Sequence, residues 1–514
     1  MKTSSRFLWQ LIQSLSPGEK LFFKRNFTSN GPKGQRLYIK FFDVLATQKE
    51  YNEAAIIKKF SPELTKKNIS SQKHYLQKQI CEAIVHYDGR NKTSHDIYNQ
   101  ILLIRVYRKK GMAEEAHAIW RKAVIKARKT ESFALLNLLK TEFEKMILFS
   151  SFHTSYDELH SIFKNNIITY NEYADLITMR DIYAETLLLK RKSHFDLDDS
   201  LKMKASNLLE KVNNSATTFS VHSFWFRHYF RMSKATLLYL LNEIPESFQL
   251  IKQVYDDWKK NTNFITTDGE YYVELMYMIN YAGILVGSYD YVTDCFNDDI
   301  NELIEDNAQR ANFEGIKYLA LNKIFNKTAR YDQVEKLFQL MKEKYKLWEP
   351  VLNADLNRTV NLSIGLACFV LEYYDDALYY SKRAITYFKI GVREEHTAVA
   401  QILLLLITYN LNNAKLFDAQ YRNTYTFFYK RKKKHPFETA LVQCLHRTFY
   451  MNDIKSKIAE YKKALDIFEA NKEDIVQQMN FSIFNYPGWL ISKVQRIPYR
   501  QYVERKVQNE KKEA

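Results

Sequence analysis

The chain has 514 residues, of which 46% are hydrophobic and 15% aromatic, and its formal net charge is +17. This apolar content excludes a wholly disordered chain, and the length exceeds what one compact core normally fills, so we expect several domains or a repeat array. Only 12 glycines and 8 prolines are present, which argues against the many tight turns of an all-β fold and predicts helices joined by short turns.

Residues 1–92 form a basic segment, with 17 Lys or Arg against 7 Asp or Glu. Its Ser16-Pro17-Gly18-Glu19 sequence is typical of a helix start, because the serine can cap, the proline fits the first turn and the glutamate can close a capping box. Further helices are predicted at 36–47, 53–60 and 71–87. We therefore predict a four- to five-helix N-terminal module that also caps the structure behind it.

A doublet of an aromatic residue and aspartate recurs along the rest of the chain. Tyr289-Asp290, Tyr331-Asp332, Tyr374-Asp375 and Phe417-Asp418 are spaced 42, 43 and 43 residues apart. A carboxylate in the first turn of a helix faces unpaired N–H groups and the positive end of the helix dipole. Each doublet is therefore predicted to begin the second helix of a helix pair. Related doublets extend the register towards the N-terminus at Ala113-Glu114, Tyr156-Asp157 and Pro245-Glu246.

Small residues in two of these units predict closely packed helices. In segment 361–389, Gly365 falls in the first helix, and Ala377, Ser381 and Ala384 fall in the second. Small side chains at such places let two helices approach each other, while large ones fill the groove between them. Segment 97–128 has a similar pattern, with Leu103 and Tyr107 on one face of its first helix and Ala116, Trp120 and Ala123 in its second.

This pattern resembles the tetratricopeptide family of helical-repeat proteins. The family repeats every 34 residues or so, whereas the period here is about 43, and Gln100 and Asn361 stand where the family has a first-helix tryptophan. The resemblance implies an all-α, right-handed α-solenoid of antiparallel helix pairs. The opening segment, Leu15 to Lys24, is also similar to uncharacterised bacterial helical-repeat proteins, a resemblance that implies no activity.

Three domains are predicted from these patterns: a basic helical module at 1–92, the tetratricopeptide-like solenoid at 93–484, and a basic C-terminal helix and tail at 485–514. Near the end of the solenoid, segment 453–478 is predicted to be one long helix. At the start of the C-terminal region, Asn485-Tyr486-Pro487-Gly488 is predicted to be a turn. The four cysteines are far apart in sequence, and the polar residues Gln10 and Gln13 interrupt the first apolar stretch. We therefore expect no disulfide framework and no signal peptide, and a cytoplasmic protein.

No catalytic sequence motif is present, and neither a cofactor nor a metal is expected, so the protein is predicted not to be an enzyme. The main charged features are the basic terminal regions, since residues 415–435 also hold 7 Lys or Arg against 1 acid. Aromatic residues precede the run at 430–434, and such a combination can contact phosphates and stack on bases. Candidate residues for an anionic partner are Lys430, Arg431, Lys432, Lys433, Lys434, Lys66, Lys67, Lys73, Lys24 and Arg25.

Two functions remain open from the sequence. The first is an interaction scaffold or adaptor that binds a protein or peptide on the solenoid surface, as the repeat and the missing catalytic motifs indicate. The alternative is a nucleic-acid or ribonucleoprotein binder that uses the basic terminal regions. Neither function predicts a membrane contact.

Overall fold

A computed structural model describes residues 6–28, 35–48, 50–88, 93–149, 156–192, 199–215, 223–386, 394–431 and 435–513. Throughout these ranges the chain is helical, with turns between the helices and no β-strand. The predicted all-α class is therefore confirmed. The chain divides into two compact units, Met1–Tyr173 (unit 1) and Ala174–Ala514 (unit 2).

Unit 1 begins with a small helical core in which Phe41, Phe42 and Leu45 are fully buried. A helix pair and a third helix follow, with Trp120 of the pair stacked on Phe143 at 4.4 Å between ring centroids. The helices are α1 (Phe7–Ser14), α2 (Pro17–Thr28), α3 (Gln35–Thr47), α4 (Glu53–Lys59), α5 (Ile69–Asp88), α6 (Thr93–Lys109), α7 (Ala113–Lys129) and α8 (Phe133–Phe149). Helix α9 (Tyr156–Lys192) contains the boundary between the units.

Unit 2 is a solenoid of helix pairs with one continuous hydrophobic core. Its pairs are α11 (Phe224–Leu240) with α12 (Ile244–Lys260), α13 (Asn263–Leu285) with α14 (Tyr289–Asn297), α15 (Asn307–Lys327) with α16 (Tyr331–Trp348), α17 (Ala354–Val370) with α18 (Tyr374–Thr386), α19 (Glu394–Asn410) with α20 (Ala414–Lys430), and α21 (Pro436–Phe449) with α22 (Ile454–Ala470). Before them lies α10 (Asp199–Ser215), a 3-10 helix spans Asp299–Leu303, and α23 (Ile475–Ile483), α24 (Tyr486–Gln495) and α25 (Tyr499–Glu513) end the unit.

Helix starts follow from local chemistry, as predicted. Ser16 and Glu19 form the expected capping box, since each backbone N–H donates to the other side chain, at 2.7 Å and 3.2 Å. Tyr289, Tyr331 and Tyr374 are the first residues of α14, α16 and α18. Phe417 is an exception, because the cap formed by Asn413 starts α20 three residues before the doublet.

The turns inside five successive pairs of unit 2 share a backbone motif that was not predicted from the sequence. A residue with positive φ follows the first helix of each of these pairs, and in four of them the next N–H bonds back to the last helical turn. At Glu372, φ is 64° and the N–H of Tyr373 donates to Cys368 O at 2.8 Å. This helix-ending motif satisfies otherwise unpaired carbonyls and fixes the angle of the next helix. The other four residues are Asn242, Gly287, Ala329 and Asn412.

The close approach predicted between α17 and α18 is confirmed. A Cβ atom added at Gly365 would lie 2.4 Å from Ser381 Oγ and 3.3 Å from its backbone nitrogen. Ala377, Ser381 and Ala384 are fully buried against this site. A side chain at position 365 would therefore force the two helices apart.

Three sequence predictions are corrected here. Leu103 was expected on the packed face of α6 but is 44% exposed, because Ile97, Ile101 and Ile104 form that face instead. The predicted long helix at 453–478 is interrupted between α22 and α23, where Asp474 caps the second helix. The predicted turn at Asn485–Gly488 is the start of α24, capped by the Asn485 side chain.

The predicted domain boundaries at 92/93 and 484/485 remain predictions. Residues from 486 onward contribute to the core of unit 2, since Tyr486, Trp489 and Leu490 are buried in it. In the described residues, no helix is both long and apolar enough to span a bilayer.

Candidate functional site

A cavity of about 500 Å³ lies inside unit 2. One wall is formed by the first helices of five consecutive pairs, α11, α13, α15, α17 and α19, together with the starts of α14 and α16. The opposite wall is formed by α23, the junction before α24, and α25. Its volume lies in the range of about 300–1,000 Å³ that is usual for small-ligand pockets.

Helix α25 is held against the array by aromatic contacts. The Arg500 guanidinium lies over the Tyr331 ring, 4.9 Å from its centroid, and the Tyr499 ring lies 5.2 Å from that of Phe484. Val503 is buried on the same side. Because Tyr331 begins α16, these contacts join the end of the chain to the middle of the solenoid and enclose the cavity.

Side-chain amides from two neighbouring first helices line the array wall. Asn322 Nδ2 donates to Ser363 Oγ at 2.7 Å, and Asn326 Nδ2 donates to Asn322 Oδ1 at 3.0 Å. The Oδ1 atom of Asn326 is buried and accepts no hydrogen bond from any described residue. Asn280 is only 5% exposed, lines the cavity, and makes no side-chain hydrogen bond within the described ranges. The wall therefore offers amide groups with free donors and acceptors.

Two lysines of α15 bring positive charge to the same wall. Lys323 and Lys327 lie one helical turn apart, so they share a face of the helix, and both line the cavity. Among the described residues no carboxylate lies within ion-pair distance of either ammonium group. Burial, and then the nearby charge of Lys327, lowers the pKa of Lys323 from 10.5 to about 8. Burial and the charge of Lys506 lower the pKa of Lys327 in the same way.

The other charged groups of the cavity come from two helices. Lys506 and Glu510 of α25 face each other at 3.7 Å, and His396 of α19 is 8% exposed. Glu510 is the single carboxylate among the described lining residues, against three lysines. The cavity is therefore positively charged, and its remaining surface combines amide and hydroxyl groups with aromatic and aliphatic side chains. The apolar lining side chains are Leu285, Leu319, Leu362, Leu366, Val370, Met479, Phe481, Ile483, Phe484, Val503 and Val507.

No cluster of catalytic type accompanies the cavity in the described chain, and no group of three His, Cys, Asp or Glu side chains could hold a metal ion there. His228 illustrates how the histidines are used. It is 2% exposed, its Nδ1 accepts a hydrogen bond from Trp258 Nε1 at 3.2 Å, and burial lowers its pKa to about 3. It is thus a neutral packing residue at physiological pH.

The anion-site residues predicted in unit 1 lie on its N-terminal helices. Lys66 and Lys67 are exposed in the turn before α5, and Arg25 is exposed on α2. Lys24 pairs with Asp43 at 2.5 Å, and Lys73 pairs with Glu53 with a side chain only 14% exposed. Binding of an anionic partner here stays a prediction, and the charges of Lys24 and Lys73 are already matched by carboxylates.

The predicted basic run in unit 2 needs one correction. Arg431 is buried, with a side chain 2% exposed, and its Nη1 donates to both carboxylate oxygens of Glu438 at 2.7 Å and 2.9 Å. This guanidinium therefore closes the turn between α20 and α21 and is not presented to a partner. Lys430 is exposed at the end of α20, and Lys432, Lys433 and Lys434 lie outside the described residues.

The sequence analysis missed the lysines of the cavity, although a signal was present. The segment Asn322-Lys323-Ile324-Phe325-Asn326-Lys327 repeats an Asn-Lys doublet after one helical turn. In a charge count it looks like an ordinary solvated helix face. Only the tertiary fold, which places α25 opposite it, turns that face into the wall of a cavity.

Comparisons with known proteins give a fold-level likeness. No family model matches the chain, and no curated protein matches it. Solved structures that match include a Rap protein complexed with competence and sporulation factor, at 11% identity and a TM-score of 0.43, over 81% of this chain and 98% of that one. The apo form of RapI matches at 12% identity and the same TM-score, over 81% of this chain and 99% of that one.

Proposed function

We propose that the protein is a non-enzymatic interaction scaffold that binds a peptide or a segment of a partner protein in the cavity of unit 2. The observation that carries the proposal is the wall itself. Five consecutive first helices present amides, hydroxyls and apolar side chains to one enclosed space. The amides, hydroxyls and apolar side chains supply recognition chemistry, and no catalytic sequence motif accompanies them.

An extended peptide suits such a wall for a simple reason. Its backbone alternates N–H donors and C=O acceptors, and side-chain amides can pair with both. Asn280, Asn322 and Asn326 lie on α13 and α15, next to each other in the array. The apolar lining residues can hold side chains of the bound segment between the amides.

The test compares two tryptophan substitutions in the tagged full-length protein. Thr359→Trp places a large ring in the cavity, whereas Thr439→Trp places the same ring at an exposed position of α21 outside it. Proteins recovered from native lysate are quantified by mass spectrometry, with and without nuclease, and circular dichroism checks that both variants keep their helicity. We expect Thr359→Trp to lose partners that the wild type and Thr439→Trp retain.

Two results contradict this proposal. Equal recovery of the same proteins by Thr359→Trp would show that the cavity is not where they bind. Loss of all partners after nuclease treatment, with RNA or DNA recovered from the untreated sample, would favour the nucleic-acid alternative through exposed residues such as Lys66, Lys67 and Lys430.

A further inference from the structure

We propose that the cavity recognises an acidic peptide segment, and that the ammonium groups of Lys323 and Lys327 bind a carboxylate of that segment. This inference rests on the proposed function and adds the chemistry of the ligand. It assigns a binding role to two residues of α15 that stand apart from the basic runs of the sequence.

The two lysines differ from two buried or partly buried cations of unit 2 that have carboxylate partners. Arg431 is matched by Glu438 at 2.7 Å, and Lys190 by Glu274 at 2.7 Å. A carboxylate four residues away on the same helix face could pair with either lysine. In the described part of the chain, no carboxylate lies within ion-pair distance of Lys323 or Lys327. Lys323 is half-buried and Lys327 is exposed at the cavity. A charge partly withdrawn from water without a partner, such as that of Lys323, destabilises the folded protein. Such a charge is typical of a site whose partner arrives with the ligand.

The surrounding groups determine which ligand fits. Lys506 adds a third positive charge, Glu510 offsets one of the three, and His396 of α19 belongs to the same wall as the two lysines. An acidic ligand is therefore attracted and a basic one repelled. The ammonium group of lysine binds a carboxylate as a point charge, while Asn280 and the free Oδ1 of Asn326 remain for the peptide backbone.

The experiment uses two pools of mixed-sequence hexapeptides that carry an uncharged fluorescent label. The pools are identical except at two positions, which hold Asp or Glu in the acidic pool and Asn or Gln in the neutral pool. Fluorescence anisotropy measures binding to the full-length protein. We expect the acidic pool to bind about ten-fold more tightly or better, because each charge-assisted hydrogen bond contributes about that factor.

A pair of double variants locates the effect. Lys323→Gln with Lys327→Gln should remove the preference for the acidic pool. Lys336→Gln with Lys346→Gln removes the same charge from exposed positions of α16 outside the cavity and should retain the preference. Lys323 is half-buried, Lys327 is exposed, and neither pairs with a described carboxylate, so we expect the double variant to fold.

The outcomes separate this inference from the proposed function. If both pools bind equally and Thr359→Trp abolishes the binding of both, the cavity binds peptides and the inference about the carboxylate is wrong. A preference that survives in the Lys323/Lys327 double variant also overturns it. If neither pool binds, or if Thr359→Trp changes nothing, the proposed function itself fails.

Discussion

Two regions of unit 2 place positive charge in opposite ways, one buried with a partner and the other half-buried or exposed at a cavity. At the turn between α20 and α21, the Arg431 guanidinium makes two hydrogen bonds to Glu438, and both side chains are almost fully buried. On α15, Lys323 and Lys327 face a cavity with no matching carboxylate among the described residues. The first arrangement completes the fold, whereas the second leaves a charge that a ligand can match.

The contrast separates the basic sequence run from the proposed binding site. The run at 430–434 attracts attention because its charges are adjacent, yet the fold uses Arg431 internally. The α15 lysines are ordinary in sequence and become distinctive only through their surroundings. Whether a cationic side chain already has a carboxylate partner in the fold is thus a better indicator of function than the number of charges near it in the sequence.

The largest effect is expected from breaking the buried pair. Arg431→Met leaves the Glu438 carboxylate buried and unpaired, which should destabilise the region around α20 and α21 by about 3 kcal/mol or more. Hydrogen exchange of the backbone amides in these helices, followed by mass spectrometry, measures the loss. The matched double variant combines Arg431→Met with Glu438→Met. Its stability should lie within about 1 kcal/mol of that of the wild type, because replacing a whole buried ion pair by apolar residues is often neutral.

The same single variant gives a pH test. Burial already raises the pKa of Glu438 in the folded protein, and loss of Arg431 removes the main influence that lowers it. A carboxyl group with a raised folded-state pKa stabilises the fold at low pH, and this contribution is lost as the pH rises. Calorimetry should therefore find that the stability of Arg431→Met is closer to that of the wild type at pH 5 than at pH 8. An equal difference at both values would refute this account of the pair.

A smaller loss is expected at a buried acid of unit 1. Glu142 is fully buried, and Arg105, Lys145 and Arg108 surround it at 2.7, 3.5 and 3.9 Å. Glu142→Gln should cost about 2 kcal/mol, because the charged hydrogen bond is lost while partly exposed Arg105 and Lys145 can turn to water. Faster amide exchange in α6 and α8 is the readout.

The neighbouring Glu144 provides the control for this measurement. It pairs with Lys140 at 3.8 Å on the surface of α8, where an ion pair contributes little to stability. Glu144→Gln should leave exchange nearly unchanged. If both variants behave alike, the three cations around Glu142 are not essential to the packing of unit 1.

The smallest effect has the opposite sign. Lys323→Met removes a shielded, unmatched charge and should stabilise unit 2 by about 1–2 kcal/mol at pH 7. The pKa of Lys323 falls from 10.5 to about 8 on folding, so between these values the unfolded chain binds the extra proton. The wild type therefore gains stability as the pH rises through this window, and the advantage of the variant should shrink.

Thermal unfolding at pH 7, 8.5 and 10 measures this trend. Lys336→Met, at an exposed position of α16, is the matched control and should change stability by less than about 0.5 kcal/mol at each pH. A destabilised Lys323→Met variant would mean that the ammonium group has a partner in the fold, and the comparison between the two regions would then fail.

Much of the fold can be predicted from sequence because its determinants are local. The acids of the Tyr289, Tyr331 and Tyr374 doublets act within one helical turn, as does the Ser16–Glu19 capping box. Gly365 and Ser381 are only one helix apart, so their close packing also appears as a short-range pattern. Leu103 was misassigned because α6 carries apolar residues on more than one face, and tertiary contacts alone select among them.

The candidate site could not be predicted in the same way. Its walls join Tyr239 of α11 to Glu510 of α25, and no periodicity in the sequence relates these residues. The role of Arg431 likewise depended on Glu438 across a turn. Contacts beyond a helix's own residues, from across the fold for the lysines and from across a turn for Arg431, decide how each charge is used.

The return of α25 to the middle of the array has a consequence for how the molecule is made. Pairs of adjacent helices form contacts between neighbours in sequence, which close quickly and in the order of synthesis. The cavity instead needs residues 499–510 to reach Tyr331 and the first helices before it exists. A nascent chain would thus hold a nearly complete array before α25 is made, and the proposed site would form only after α25 had been synthesised and docked.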